Sequence, residues 1–137
     1  DWGAEVAIDP AAVDPVEAIK ELTHGEGADK TVDCTSSVDA RRAAVRSTRI
    51  WGTACMVGVG GDLHIEVMPD LIFRQLNIVG HWTFSKTVQA DCARFIADRN
   101  IALDKIFTHQ WDITQAAEAY TLFDEGKTGK GVFVTFD

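Results

Sequence analysis

Two short apolar runs, each ending in a cluster of small residues, constrain the fold of this chain more than any other feature. Lys30-Thr31-Val32-Asp33-Cys34 leads into Thr35-Ser36-Ser37, and Ala54-Cys55-Met56-Val57-Gly58-Val59 leads into Gly60-Gly61. Near-continuous apolar runs of this length suit strands buried on both faces of a parallel sheet. Small residues at their carboxyl ends let a ligand lie against the backbone, which is where open α/β sheets take their ligands. An α/β fold with a parallel sheet is the expectation.

The rest of the chain alternates accordingly. Glu5-Val6-Ala7-Ile8 reads as a short strand closed by Asp9-Pro10, preceded by a helix end at Asp1-Trp2. Asp14, Pro15 and Glu17 mark a helix start, and the glycines after His24 stop that helix. Ser36 or Ser37 caps the next helix, expected to run to about Arg49 and end near Gly52. After the strand at Ala54–Val59 and a stretch containing Pro69, Leu76–Gly80 forms a further strand. Strand, helix, strand, helix, strand in this order points to right-handed crossovers. Beyond Ser85 come a helix with Val88, Cys92, Phe95 and Ile96 on one face, and a strand at Ile106–Trp111. Asp112-Ile113-Thr114-Gln115 is a capping-box pattern; the helix it opens is expected to bury Ile113, Ala116, Tyr120 and Phe123. Val132–Phe136 closes the chain as a strand.

Composition removes several functions. A formal charge of −8 opposes binding to nucleic acid or to an anionic membrane surface. No apolar run approaches the roughly 20 residues of a membrane span, and no signal-peptide pattern opens the chain, so a cytoplasmic protein is expected. Cys34, Cys55 and Cys92 are odd in number and widely spaced, which reads as buried free thiols rather than a disulfide framework.

Several strings, in their order and spacing, resemble the C-terminal half of the medium-chain dehydrogenase/reductase family, the zinc-type alcohol dehydrogenases. They are Gly3–Pro10, Gly25–Asp29, Val57–Gly61, Gly80–Phe84, Asp104–His109, Ala116–Tyr120 and Phe123–Lys130. The resemblance implies a partial Rossmann domain over residues 1–84, a doubly wound parallel sheet lacking its first strands. Residues 85–137 would be a helix-strand-helix-strand tail that returns to the family's catalytic domain, the two forming one compact unit. It implies NAD or NADP as cofactor, with Cys34, Thr35 and Ser36 near the adenosine half. Val57, Gly58 and Val59 would flank the nicotinamide, His81 and Trp82 would lie near its carboxamide, and Lys130 would approach the pyrophosphate. Hydride transfer between an alcohol or polyol and the nicotinamide is the reaction implied, with zinc held by an N-terminal portion. No catalytic residue or metal ligand is assigned within this chain, so alone it is expected to be silent.

Departures from the family are specific. G-x-G-x-x-G is absent: Gly58-Val59-Gly60 has Leu63 at the third glycine position, and Gly25-Glu26-Gly27 has Lys30. Neither C-x-x-C nor H-E-x-x-H occurs. In the family strand order 3-2-1-4-5-6, strands 1 and 2 would lie between Glu5–Ile8 and Lys30–Cys34. The edge so exposed is expected to be covered by the first strand moving over, by a second chain, or by further sequence. Homo-oligomers through sheet edges, Leu76–Gly80 among them, are the partners the resemblance implies. A free-standing, truncated, non-catalytic binding or self-association module is the alternative function.

Plainer readings compete at individual positions. Gly126–Gly131 follows a helix and precedes a strand, the reverse of a phosphate-binding loop, and reads as a turn. Arg42, Arg46 and Arg49, with Arg41 beside them, read as a solvated helix face. His81 reads as a packing residue, Cys34 as a small strand residue, and Trp82 suits either a cofactor contact or a domain junction.

Overall fold

The computed structural model describes residues 3–134, and the chain divides into two units, Asp1–Thr83 and Phe84–Asp137. In the first, helix α1 spans Pro15–Leu22, and the Asp14 carboxylate accepts from the N–H groups of Val16 (2.8 Å) and Glu17 (3.3 Å). These are two of the orphan donors every helix start must satisfy. Strand β1 (Ala28–Asp33), helix α2 (Val38–Ser47) and strand β2 (Thr48–Met56) follow, then a π-helical turn at Val67–Ile72 and strand β3 (Asn77–Gly80). The sheet is parallel in the order β1-β2-β3, with Val32 opposite Cys55 and Cys55 opposite Val79. Val45 of α2, Ala54 of β2 and Leu76 form the buried core, with Met56, Leu63, Ile65, Leu71 and Ile78 packed against it.

Several sequence expectations need correction here. Residues 5–8 form no strand, and none of the described residues pairs with the outer edge of β1. A strand exists only through pairing, and the segment does not cross to that edge. Consequently β1 is not buried on both faces, and Val32 is 60% exposed. The thiols expected to be buried are not: Cys34 and Cys92 are exposed, and Cys55 is half-buried. All three thiols are free.

The boundary between α2 and β2 also moves. The helix ends at Ser47 rather than near Arg49, and the strand begins at Thr48 and ends at Met56 rather than Val59. The Thr48 hydroxyl, fully buried, donates to the Ala44 carbonyl (2.8 Å) and meets the Thr31 hydroxyl at 2.7 Å. Arg74 reaches back and donates to the carbonyls of Val45, Arg46 (both 3.1 Å) and Thr48. Together these occupy the last helical carbonyls and fix the stop. At the other end, the N–H groups of Val57 and Gly58 both turn onto the Asp33 carbonyl, at 2.9 and 3.1 Å, and β2 becomes a loop.

In the second unit, α3 (Lys86–Asp98) is capped by Ser85, whose hydroxyl accepts from Val88 N–H. A 3-10 turn at Leu103–Ile106 leads into β4 (Phe107–Trp111). The Asp112–Gln115 capping box is present, but it opens a 3-10 turn (Ile113–Gln115) before α4 (Ala116–Asp124) begins. Strand β5 (Lys130–Phe133) pairs with β4 in parallel; Thr135 and Phe136, like Asp1-Trp2, lie outside the described residues. The apolar face expected on α4 is not buried: Ala119 is, whereas Ile113, Tyr120 and Phe123 are exposed. The Trp111 ring stacks on His109 at 5.4 Å and meets Phe133 at 6.3 Å.

Candidate functional site

The carboxyl edge of the three-stranded sheet is the candidate site. Asp33, the last residue of β1, is only 3% exposed, and its Oδ1 accepts from the Thr35 N–H (3.1 Å) and hydroxyl (2.7 Å). Its Oδ2 accepts from Arg41 Nε at 3.0 Å. Arg41, 7% exposed, also donates through Nη2 to the carbonyls of Gly58 (2.6 Å) and Thr35 (3.3 Å). Burial pushes the Asp33 carboxyl up, but the hydrogen bonds from Thr35 and Arg41 outweigh it and hold the group below its ordinary 3.8. The carboxylate therefore stays charged beside a charged guanidinium.

These bonds bring the loops after β1 and β2 into contact. A Cβ built on Gly58 would overlap the Thr35 carbonyl oxygen and come within 2.7 Å of the Thr35 nitrogen. One built on Gly61 would overlap the Ser36 carbonyl oxygen and stand 3.4 Å from Arg41 Nη1. Only glycine fits either position.

Cys34, Thr35 and Ser36 are exposed at the end of β1; Val57 and Val59 are exposed and Gly58 half-buried at the end of β2. His81 continues β3, its N–H donating to the Met56 carbonyl at 2.9 Å, and Trp82 beside it is 73% exposed. One edge thus collects eight of the nine candidate positions. Lys130 belongs to the second unit, where it opens β5 and lines a pocket of about 280 Å³ with Trp111, Tyr120 and Phe133.

The expected solvated arginine face is largely otherwise employed. Arg42 pairs with Asp39 at the surface, and Arg49 pairs with Asp29. Arg46 binds Asp70 at 3.1 Å, and the Asp70 carboxylate also accepts the Glu66 N–H at 3.0 Å. Burial pushes Asp70 up, but Arg46 and the Glu66 N–H outweigh it and hold the group below its ordinary value. Arg74 is pushed down by burial, and Asp70 opposes part of that shift. Arg41 is buried outright because it lies four residues before Val45 and shares its sheet-facing side. That i, i+4 relation was the available sequence signal for Arg41, and the run of neighbouring arginines concealed it.

A dinucleotide fits this edge in one respect the structure supports: the loops are exposed, small-residued and glycine-tight against the backbone. Zinc does not fit the described residues. Among the described residues no three His, Cys, Asp or Glu side chains come together as a metal site. Nor is any helix among them long and apolar enough to cross a membrane.

Comparison with known proteins agrees with this architecture. YphC of Escherichia coli (strain K12), an uncharacterized zinc-type alcohol dehydrogenase-like protein, is 37% identical over 116 residues, covering 85% of this chain and 33% of that one. The L-threonine 3-dehydrogenase of Symbiobacterium thermophilum is 29% identical over 138 residues, covering 96% of this chain and 38% of its own. The alcohol dehydrogenase TADH from Thermus sp. ATN1 shares the fold with a TM-score of 0.86 at 20% identity, over 96% of this chain and 38% of that one. The chain thus spans between three and four tenths of the length of the curated relatives it matches. The profile of the family described as zinc-binding dehydrogenase matches residues 1–98, well over half of the 137, and the chain belongs to that family.

Proposed function

We propose that this chain is the C-terminal, cofactor-binding portion of an NAD(P)-dependent, zinc-dependent alcohol or polyol dehydrogenase. The observation that carries the reading is the glycine-tight carboxyl edge of the sheet, in a chain of the zinc-binding dehydrogenase family. A bound nicotinamide would supply the hydride acceptor and donor. The chain's own part is to bind and orient it. Cys34, Thr35 and Ser36 serve the adenosine half, and Val57, Gly58 and Val59 flank the nicotinamide. His81 and Trp82 stand near the carboxamide, and Lys130 approaches the pyrophosphate. Zinc ligands and the phosphate-binding glycine loop belong to sequence outside these residues. The free edge of β3 is the proposed surface for pairing between copies.

Sequencing the DNA in frame upstream of the Asp1 codon tests this reading. The expected result is an open frame of roughly 200 further residues containing G-x-G-x-x-G after a strand pattern. NADH or NADPH titrated into the whole product should then bind. A start codon a few residues upstream would overturn the reading in favour of a free-standing, non-catalytic module.

A further inference from the structure

Arg41 does more than neutralise Asp33. The Ser37 cap fixes the start of α2, and Arg41, on Val45's side of it, is led to the strand ends. There its planar fork serves three acceptors at once: Asp33 Oδ2, the Gly58 carbonyl and the Thr35 carbonyl. Asp33 in turn grips both loops, taking Thr35 with its side chain and Val57 and Gly58 with its main-chain carbonyl. A single buried ion pair therefore joins the two loops that line the candidate site.

Peptide planarity carries the effect outward. No described peptide bond is cis, so each N–H points opposite to the carbonyl that precedes it. The Thr35 and Gly58 carbonyls turn towards Arg41. The next N–H groups, those of Ser36 and Val59, therefore turn away from it, and neither finds an acceptor among the described residues. An amide without a partner beside an exposed loop is a ready donor.

We propose that Arg41 is the positioning residue of this edge: it holds the two loops together and turns the Ser36 and Val59 amides outward as donors to the oxygens of a bound dinucleotide. This rests on the reading of the edge as the cofactor face. Lysine cannot substitute for the fork, because one ammonium on a flexible stem does not span a carboxylate and two carbonyls in fixed geometry.

The test uses the complete reading-frame product and three proteins: wild type, Arg41→Lys, and the double variant Asp33→Asn/Arg41→Met, which removes both buried charges. Dissociation constants for NADH and NADPH come from nicotinamide fluorescence, and KM and kcat from alcohol oxidation. Amide hydrogen exchange reports on Ser36 and Val59. Both variants are expected to bind dinucleotide about tenfold more weakly, with the loss in its KM rather than in kcat, and to lose the protection from exchange that bound dinucleotide gives both amides in the wild type. If the double variant fails to fold, Arg41→Lys alone decides. Variants that bind as tightly as a binding wild type overturn the inference and leave the functional reading standing. A wild type that binds neither dinucleotide overturns both.

Discussion

Gly58→Ala adds one methyl group to the most crowded glycine of the candidate site. Gly58 does not have a positive φ, so alanine meets no backbone penalty there and the space alone decides the result. The new Cβ would overlap the Thr35 carbonyl oxygen, so the loops after β1 and β2 must part by on the order of 2 Å. Overpacking of this kind costs about 1–3 kcal/mol. Moving Gly58 and Thr35 also breaks their hydrogen bonds to the Arg41 guanidinium, whose charged donors contribute about 1.5–3 kcal/mol. The expected loss is about 3–5 kcal/mol, a large part of the ~5–15 kcal/mol that holds an ordinary domain together. Urea unfolding followed by circular dichroism should show the midpoint falling by about 2 M. Gly80→Ala is the control: nothing lies within 4 Å of a Cβ at that position, and its φ is not positive either. It should leave stability level or raise it by a few tenths of a kcal/mol, as loss of glycine's freedom in the unfolded chain does. A Gly58→Ala protein within about 1 kcal/mol of wild type would refute the close contact between the loops.

Asp33 and Asp70 both sit below their ordinary 3.8 in the folded protein, so each contributes stability that is present above the unfolded value and lost as pH falls through the folded one. The unfolding midpoint should be level from pH 7 to about pH 5 and fall steeply below 3.8. Asp33→Asn should be less stable at pH 7 yet show a shallower acid slope, and an unchanged slope between pH 5 and pH 2 would sink the argument. Arg74→Met leaves the carbonyls of Val45, Arg46 and Thr48 without their guanidinium donor and should cost about 2–3 kcal/mol in urea unfolding. A neutral result would mean that water serves those carbonyls equally well.

What the sequence reveals is what short-range chemistry decides. Asp14 before Pro15, Ser37 before α2 and the Asp112–Gln115 pair each mark an element start because cap and helix are within a turn of one another. That β1, β2 and β3 pair in parallel follows from alternation. Partners far along the chain are another matter. The end of α2 depends on Arg74, which no local pattern couples to Val45 or Thr48. Glu5–Ile8 has a strand's composition, but no described neighbour supplies the hydrogen bonds that would make it one. At the candidate site the small residues and Gly58 were visible in sequence. The Asp33–Arg41 pair was hidden because composition places an arginine among solvated neighbours, whereas its position one turn ahead of Val45 places it inside.

The tie made by Arg41 separates two kinds of information in the same loops. Its contacts beyond Asp33 are to main-chain carbonyls, which every residue type carries. Thr35 is held by its hydroxyl and Gly58 by lack of space, whereas the exposed side chains of Cys34, Ser36, Val57 and Val59 make no hydrogen bond within the frame. Substitutions at these four positions are therefore expected to leave the scaffold beneath them in place. On the proposed function, selectivity for the dinucleotide and integrity of the fold are written in different atoms, so one can be varied by library screening while the other is left intact.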